Sequence, residues 1–507
     1  LGMELPASHT VLAGRTVFVS LLFGVGITTL AGLIPAVRAT RVEPVAALRE
    51  GAVPQARHSR VTPVLGAILT AVAVAAMVYG MFAGGVSVGG RLAAIGLGCL
   101  ALFLGVAMLS SRLVGPLVSL LGRPGERIAG AAGQLARENA MRNPHRTAVT
   151  AAALMIGIAL VTLAATFGQG VKSSWKESYA KQLQTDYVLT AGDGSVPVAG
   201  GAAKAVASTP GVGTVTAIRE DQARVYDQVM PVDGVDPATI GRIYDYHWKR
   251  GSEGALDRLG PDGAIVIERF AKQHHLAVGD RVPITSADGT RRDLTVRGID
   301  SRPKFNPLNL GSVSVSHELY ARLFPQARDD QLVLFTVDHG AGAATRSQLD
   351  RALAPFPGTK LKTSSEYRKL GDTWINNMLG LLYGLLGLSV IVSLFGIVNT
   401  LALAVFERTR EIGTLRAVGM TRRQVRRMMR HEGILVALIG AVLGMALGLL
   451  LGALVAKAMA GEGMTFAVPV GSLVAFLLVA VVAGTLAAIL PARRASRLDV
   501  LNALQYE

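Results

Sequence analysis

Two adjacent histidines, His274 and His275, a single cysteine, Cys99, and the Ser- and Asp-containing loops of a long polar stretch are the residues of this chain whose types suit metal or nucleophilic chemistry. Their spacing does not suit it. Adjacent histidines point to different faces of a helix and to opposite faces of a strand. With no His-x-x-x-His and no nearby cysteine, they read as surface residues rather than metal ligands. No G-x-S-x-G elbow supports a hydrolase triad. No G-x-x-x-x-G-K-[ST] phosphate loop occurs, so any nucleotide is expected on another polypeptide. The expected tally of catalytic residues, metal ligands and cofactors is none.

The richest charged pattern is Phe406 to Glu432, FERTREIGTLRAVGMTRRQVRRMMRHE. It reads as two short helices. Gly419 is suited to the left-handed conformation that closes the first, and Thr421 with Gln424 three residues on fits a capping box for the second. In the first helix Ile412, Leu415 and Val418 fall on adjacent turns, while Glu407, Arg408, Arg410, Glu411 and Arg416 line the rest. Such a stripe suits either insertion into a groove on a partner, with the charges setting register, or a helix lying flat on lipid. Physics alone leaves both open. In the second helix Arg422, Arg423, Arg426, Arg427 and Arg430 form a cationic collar suited to anionic headgroups.

The surrounding elements decide where these segments lie. The chain has 507 residues, half of them hydrophobic and 17% charged, which places it among membrane proteins. Its formal net charge of +16 does not indicate nucleic acid. Between Val171 and Asn377, 26 Lys and Arg stand against 24 Asp and Glu, so nearly all the excess sits in short loops between apolar segments. Seven segments are expected to span the bilayer: Val11 to Ile34, Val61 to Phe82, Leu92 to Leu109, Thr147 to Phe167, Met378 to Val405, Gly433 to Val455 and Val470 to Leu490. The Arg-rich loops all fall on one side, which is then cytoplasmic. The carboxyl terminus lies inside, and a domain over residues 171–377 faces outward. Gly440, Gly444, Gly448 and Gly452 repeat every four residues, a spacing that lets helix backbones approach closely.

That outer domain reads as α+β. Gln331 to Asp338 and Asp293 to Ile299 alternate like strands, Ala344 to Leu353 has helical spacing, and Asp288-Gly289 favours a hairpin joining Val282–Thr285 to Leu294–Val296. An internal repeat is also present. Pro35 to Glu50 reads PAVRATRVEPVAALRE and Pro491 to Tyr506 reads PARRASRLDVLNALQY, each after an apolar span. Only the second copy is preceded by a complete unit, so an amino-terminally truncated member of a ten-span architecture is expected.

The string ERTREIGTLRAVGMTRRQV, after a span ending VNTLALAVF and before two spans and PARRASRLDVLNAL, resembles the carboxyl-terminal signature of FtsX-like permeases, which include the MacB and LolC/LolE types. The stretch LARENAMRNPHRT is similar to that family's juxtamembrane helix, with Asn143 as cap and Pro144 in the first helical position. The resemblance implies an α-helical polytopic membrane protein with one extracytoplasmic α+β domain of MacB-like core type. It divides the chain into a remnant of a first unit (1–50), a two-span hairpin (51–115), a juxtamembrane helix and its span (116–170), the outer domain (171–377) and a three-span permease domain (378–507). It also implies that Glu407, Arg408, Glu411, Ile412, Gly413, Leu415, Arg416 and Gly419 dock on an ABC ATPase subunit, which would carry ATP and Mg. Arg410 and Val418 complete the segment.

The expected role is mechanical. ATP binding elsewhere moves the docking helix, the spans shift, and the outer domain acts on a lipid, lipoprotein or peptide. The alternative is a regulator that activates a cell-wall hydrolase or signals antimicrobial peptide to a sensor kinase. Expected partners are the ATPase, the bilayer of the cell membrane, a second copy or a pseudo-dimeric half, and a substrate or protein outside. Nucleic acid is not among them.

Overall fold

The computed structural model describes residues 14–40, 61–82, 88–142, 144–192, 196–286, 288–302, 308, 310–338, 342–460 and 463–499. The chain divides at Val64 into two compact units. The first holds α1 (Gly14–Thr40), of which Gly14–Leu30 is a shorter, predominantly apolar stretch. The second contains a helical bundle and a sheet domain. The bundle comprises α2 (Val61–Phe82, which begins at the boundary), α3 (Val88–Ala129), α4 (Ala131–Arg142), α5 (Pro144–Gln182), α6 (Ser364–Glu407), α7 (Thr409–Ala417), α8 (Arg422–Ala458) and α9 (Val470–Ser496).

Among the described residues six helices are long and apolar enough to cross a membrane: α2, α3, α5, α6, α8 and α9. Each coincides with an expected span. The seventh expectation, Val11 to Ile34, meets α1, though Val11 to Ala13 lie outside the described residues, as do Asn143 and the ends of both repeat copies. Several helices overrun their expected limits. At 1.5 Å per residue the 44 residues of α6 reach about 66 Å, twice the hydrocarbon thickness. The 39-residue α5 likewise continues through residue 171 to Gln182. These two helices therefore form continuous rods from the bundle into the sheet domain, which hangs between the end of one and the start of the other. A capping box fixes the start of α6: Thr363 Oγ1 accepts from the Glu366 amide, and Glu366 returns the bond to the Thr363 amide.

Glycine sets the contact of α5 with α8. A Cβ placed on Gly440, Gly444, Gly448 or Gly452 would lie within 2.5–2.7 Å of Ala151 O, Met155 O, Thr162 Cβ and Thr166 Cγ2 respectively. The four-residue repeat thus marks a seam where two backbones nearly touch.

Among the described residues the sheet domain has ten strands: β1 (Tyr187–Ala191), β2 (Val212–Val225), β3 (Gln228–Val235), β4 (Trp248–Arg250), β5 (Gly263–Ile267), β6 (Arg281–Thr285), β7 (Arg291–Asp300), β8 (Val313–Ser316), β9 (Leu332–Val337) and β10 (Thr359–Thr363). Their order is β10-β1-β9-β2-β3-β8-β5-β7-β4, and β6 bridges β2 and β7. That bridge closes β2, β3, β8, β5, β7 and β6 into a ring. Val225, Val232, Val266, Ile284, Leu294 and Val315 pack among its buried residues. The expected hairpin is present, with Val282 opposite Leu294 and Gly289 at φ 85° in its turn. The expected helix is Ala343–Leu353, which packs with β1, β9 and β10 in a separate core. His274 is a correction: its ring stacks on Tyr226 at 4.4 Å, so it belongs to a small aromatic cluster rather than to open surface.

Candidate functional site

Short-range chemistry shapes the turn between α7 and α8. Gly419 sits at φ 116°. The Met420 amide donates to Leu415 O at 2.9 Å and the Gly419 amide to Arg416 O at 3.1 Å, the paired bonds of a Schellman motif. Immediately afterwards Thr421 and Gln424 cap each other's amides, starting α8. The two helices and their break match the sequence expectation.

The apolar stripe does not behave as one face. Ile412 is buried among Ala132, Ala136, Val425, Met428 and Met429, and Gly413 is buried beside it. Leu415 and Arg416 are half-buried, whereas Val418 is 84% exposed. One turn of the nine-residue α7 seals it onto the bundle through Ile412, while the rest of the stripe stays nearer solvent. What stays open is Glu407, Arg410, Glu411, Val418 and Gly419, with Leu415 at the edge. The collar is as expected in one respect: Arg422, Arg423, Arg426, Arg427 and Arg430 are all exposed, opposite the buried Val425, Met428 and Met429. Arg427 also donates to Ile128 O at 2.9 Å, so one member ties α8 to α3.

A charged lattice surrounds α7. Arg146, in the first turns of α5, donates to Glu407 at 2.9 Å, and its second nitrogen lies 3.8 Å from Glu432 on α8. Arg408 donates to Asn139 on α4 at 2.6 Å and to Glu411 on α7 at 2.7 Å. Glu432 is only 6% exposed, so its carboxylate depends on these cations for the solvation it has lost. Arg416 donates to Leu498 O beyond α9. Arg146 thereby joins α5 to α6 and α8, Arg408 at the junction of α6 and α7 joins α4 to α7, and Arg416 ties α7 to the chain beyond α9, mostly through charge-assisted bonds.

Sequence reasoning found one side of this lattice and missed the other. Asn139, Arg146 and Glu432 were not singled out, although the first two lie in LARENAMRNPHRT. Their signal was present as a lone basic residue entering an apolar span and a lone acid leaving a basic one, which in a membrane protein calls for a partner. No group of three or more His, Cys, Asp and Glu placed to hold a metal occurs among the described residues.

The MacB-like periplasmic core domain matches residues 147–352, and the FtsX-like permease C-terminal domain matches residues 383–500. An uncharacterized ABC transporter permease protein of Mycobacterium tuberculosis is 24% identical over 96% of this chain and 57% of its own length. The macrolide export ATP-binding/permease protein MacB of Nitrobacter winogradskyi is 25% identical over 71% of this chain and 58% of its own. The crystal structure of the periplasmic region of MacB from Actinobacillus actinomycetemcomitans aligns with 39% of this chain and 97% of its own at 11% identity, with a TM-score of 0.30. The chain spans less than two thirds of the length of either sequence relative. The resemblance to FtsX-like permeases read in the sequence is thus shown: one stretch of the chain is similar to the MacB-like periplasmic core domain and a later one to the FtsX-like permease C-terminal domain.

Proposed function

We propose that this chain is the permease part of an ABC transporter whose ATP-hydrolysing subunit docks on the open side of α7. The observation that carries the reading is the lattice around Arg146, Glu407, Arg408 and Glu432. A push on α7 reaches the end of α6 through Arg408 and from there α5 through the Glu407–Arg146 pair, and those two rods lead without interruption to the sheet domain. A surface helix that merely rested on lipid would not need to be bonded to several bundle elements. ATP and Mg sit on the partner, and the carboxyl terminus shares its cytoplasmic side. The five-arginine collar rests on anionic headgroups of the cell membrane around that contact.

In this proposal the sheet domain lies outside the membrane and acts on a lipid, lipoprotein or peptide, either as one of two copies or as half of a pseudo-dimer. A regulatory use of the same motion, on a hydrolase or sensor kinase, differs in what touches the sheet domain. Crosslinking from that domain in membranes distinguishes them by capturing a substrate or a signalling protein.

The docking reading is tested by co-purification. Leu415→Asp places a carboxylate at the edge of the proposed contact, where a partner would desolvate it without compensation. Loss of the ATPase subunit with unchanged membrane insertion supports the reading, and full retention overturns it.

A further inference from the structure

Beside this site, α6 and α9 part to leave a cavity of about 300 Å³. Its walls are apolar: Ala402, Val405 and Phe406 on one side, Pro491 and Leu498 on the other. Arg494 and Arg497, both exposed, complete the lining chiefly with the aliphatic stems of their side chains, and no acidic residue does. They stand three residues apart, so their guanidinium groups emerge from one face around the end of α9.

We propose that this cavity binds an anionic phospholipid, with its phosphodiester between Arg494 and Arg497 and the start of an acyl chain against the apolar wall. The lining asks for both halves of such a molecule. A free phosphate would satisfy the arginines and leave the wall wet; a neutral lipid would cover the wall and leave the arginines without a counter-charge. The carbonyl end of α9 opposes an anion with about half a charge, against two full positive charges. The nearby carboxylate of Glu407 is drawn away by Arg146 at 2.9 Å. Basic pockets between membrane helices at the polar boundary are a recurrent solution for anionic headgroups. The site is distinct from the arginine collar, whose residues lie on α8.

The lipid site stands independently of the docking reading. One consequence does rest on that reading: because Arg416 bonds the carbonyl of Leu498, the cavity wall and the docking segment move together, so lipid occupancy biases the placement of α7.

The test uses the full chain in mild detergent, offered phosphatidylglycerol and phosphatidylcholine in equal amounts, with retained lipid counted by native mass spectrometry. One phosphatidylglycerol is expected to remain, preferred about 30-fold, the factor that two arginines supply at a membrane surface. Arg494→Gln with Arg497→Gln abolishes the preference. Ala402→Phe, which fills the cavity and keeps both arginines, also loses the bound lipid. Arg422→Gln with Arg423→Gln removes the same charge from the collar and keeps it. Equal loss in the collar variant, or retention in Ala402→Phe, overturns the proposal. Displacement by soluble glycerol phosphate as effective as by lipid overturns it too, since that identifies a free-phosphate site. If Ala402→Phe does not elute as folded protein, the paired arginine variants decide between the outcomes.

Discussion

Arg146 and Glu407 meet at 2.9 Å although 261 residues separate them in the chain. Between them lies the whole sheet domain, so the pair clasps α5 and α6 at the ends remote from it. Partly exposed, the pair itself is worth roughly 1 kcal/mol or less. Its larger consequence comes through Glu432, 6% exposed and 3.8 Å from the same guanidinium. Arg146→Ala leaves that carboxylate with Arg408 as its remaining cationic influence. We expect the substitution to destabilise the bundle by about 1–3 kcal/mol. Glu432→Gln added to it recovers most of the loss, because no uncompensated charge remains. Thermal unfolding of the purified chain measures both, and a double variant no more stable than Arg146→Ala contradicts the account.

The seam between α5 and α8 makes a steric prediction. An alanine methyl at Gly448 would sit 2.5 Å from Thr162 Cβ and 2.6 Å from Ala159 O, and the carbonyl cannot rotate away. Gly448→Ala must push the helices apart, at about 1–3 kcal/mol. Gly471, with nothing within 4 Å of its virtual Cβ, supplies the control. Unfolding midpoints should fall for Gly448→Ala and hold for Gly471→Ala; equal midpoints would mean the backbones are not in contact.

Features decided within a few residues could be read before folding. The Schellman turn at Gly419, the Thr421 and Gln424 box, the hairpin around Gly289 and the glycine repeat all follow from local geometry, and all stand as expected. The capping box of Thr363 and Glu366 is equally local and starts α6 at Ser364, upstream of the expected span, which begins at Met378. Long-range pairings left no such trace. The parallel pairings of β3 with β8 and of β5 with β7 depend on register across many residues. Ile412 could not be assigned inward from its own helix, because Ala132 and Met428, which cover it, come from distant segments.

Acidity should affect the sheet domain through Asp233. This residue is fully buried on β3, where it accepts from Ser314 Oγ at 3.3 Å. Burial pushes its carboxyl up from 3.8 to about 7, against the pull of Arg302 and with the push of Glu220. The folded state therefore binds the proton more tightly than the unfolded chain does. Its stabilising contribution is complete below about pH 4 and is lost as pH rises through 7. Asp300, also raised by burial, acts in the same direction. We expect amide protection in β2, β3 and β8 of the intact chain to fall between pH 5 and pH 8. Asp233→Asn should reduce that slope and protect more than the parent at pH 8. An unchanged slope in the variant would assign the effect to other groups.

Ile412 and Val418 lie on the stripe read as one surface, yet their burial separates folding from docking. Aspartate at Ile412 enters a packed cluster with Val425, Met428 and Met429, so Ile412→Asp should lower the yield of folded protein. Aspartate at Val418 meets solvent in the isolated chain, since 84% of that residue is exposed. Val418→Asp should therefore leave unfolding temperature within error while reducing capture of the ATPase subunit at least tenfold, about 1.4 kcal/mol of lost contact. Both measurements come from one purification, by elution profile and partner stoichiometry. If Val418→Asp binds the ATPase as the parent does, the partner approaches from the side of Glu407 and Glu411, and the contact must be sought among those charges, because Ile412 is already occupied by the bundle and has no surface left to offer.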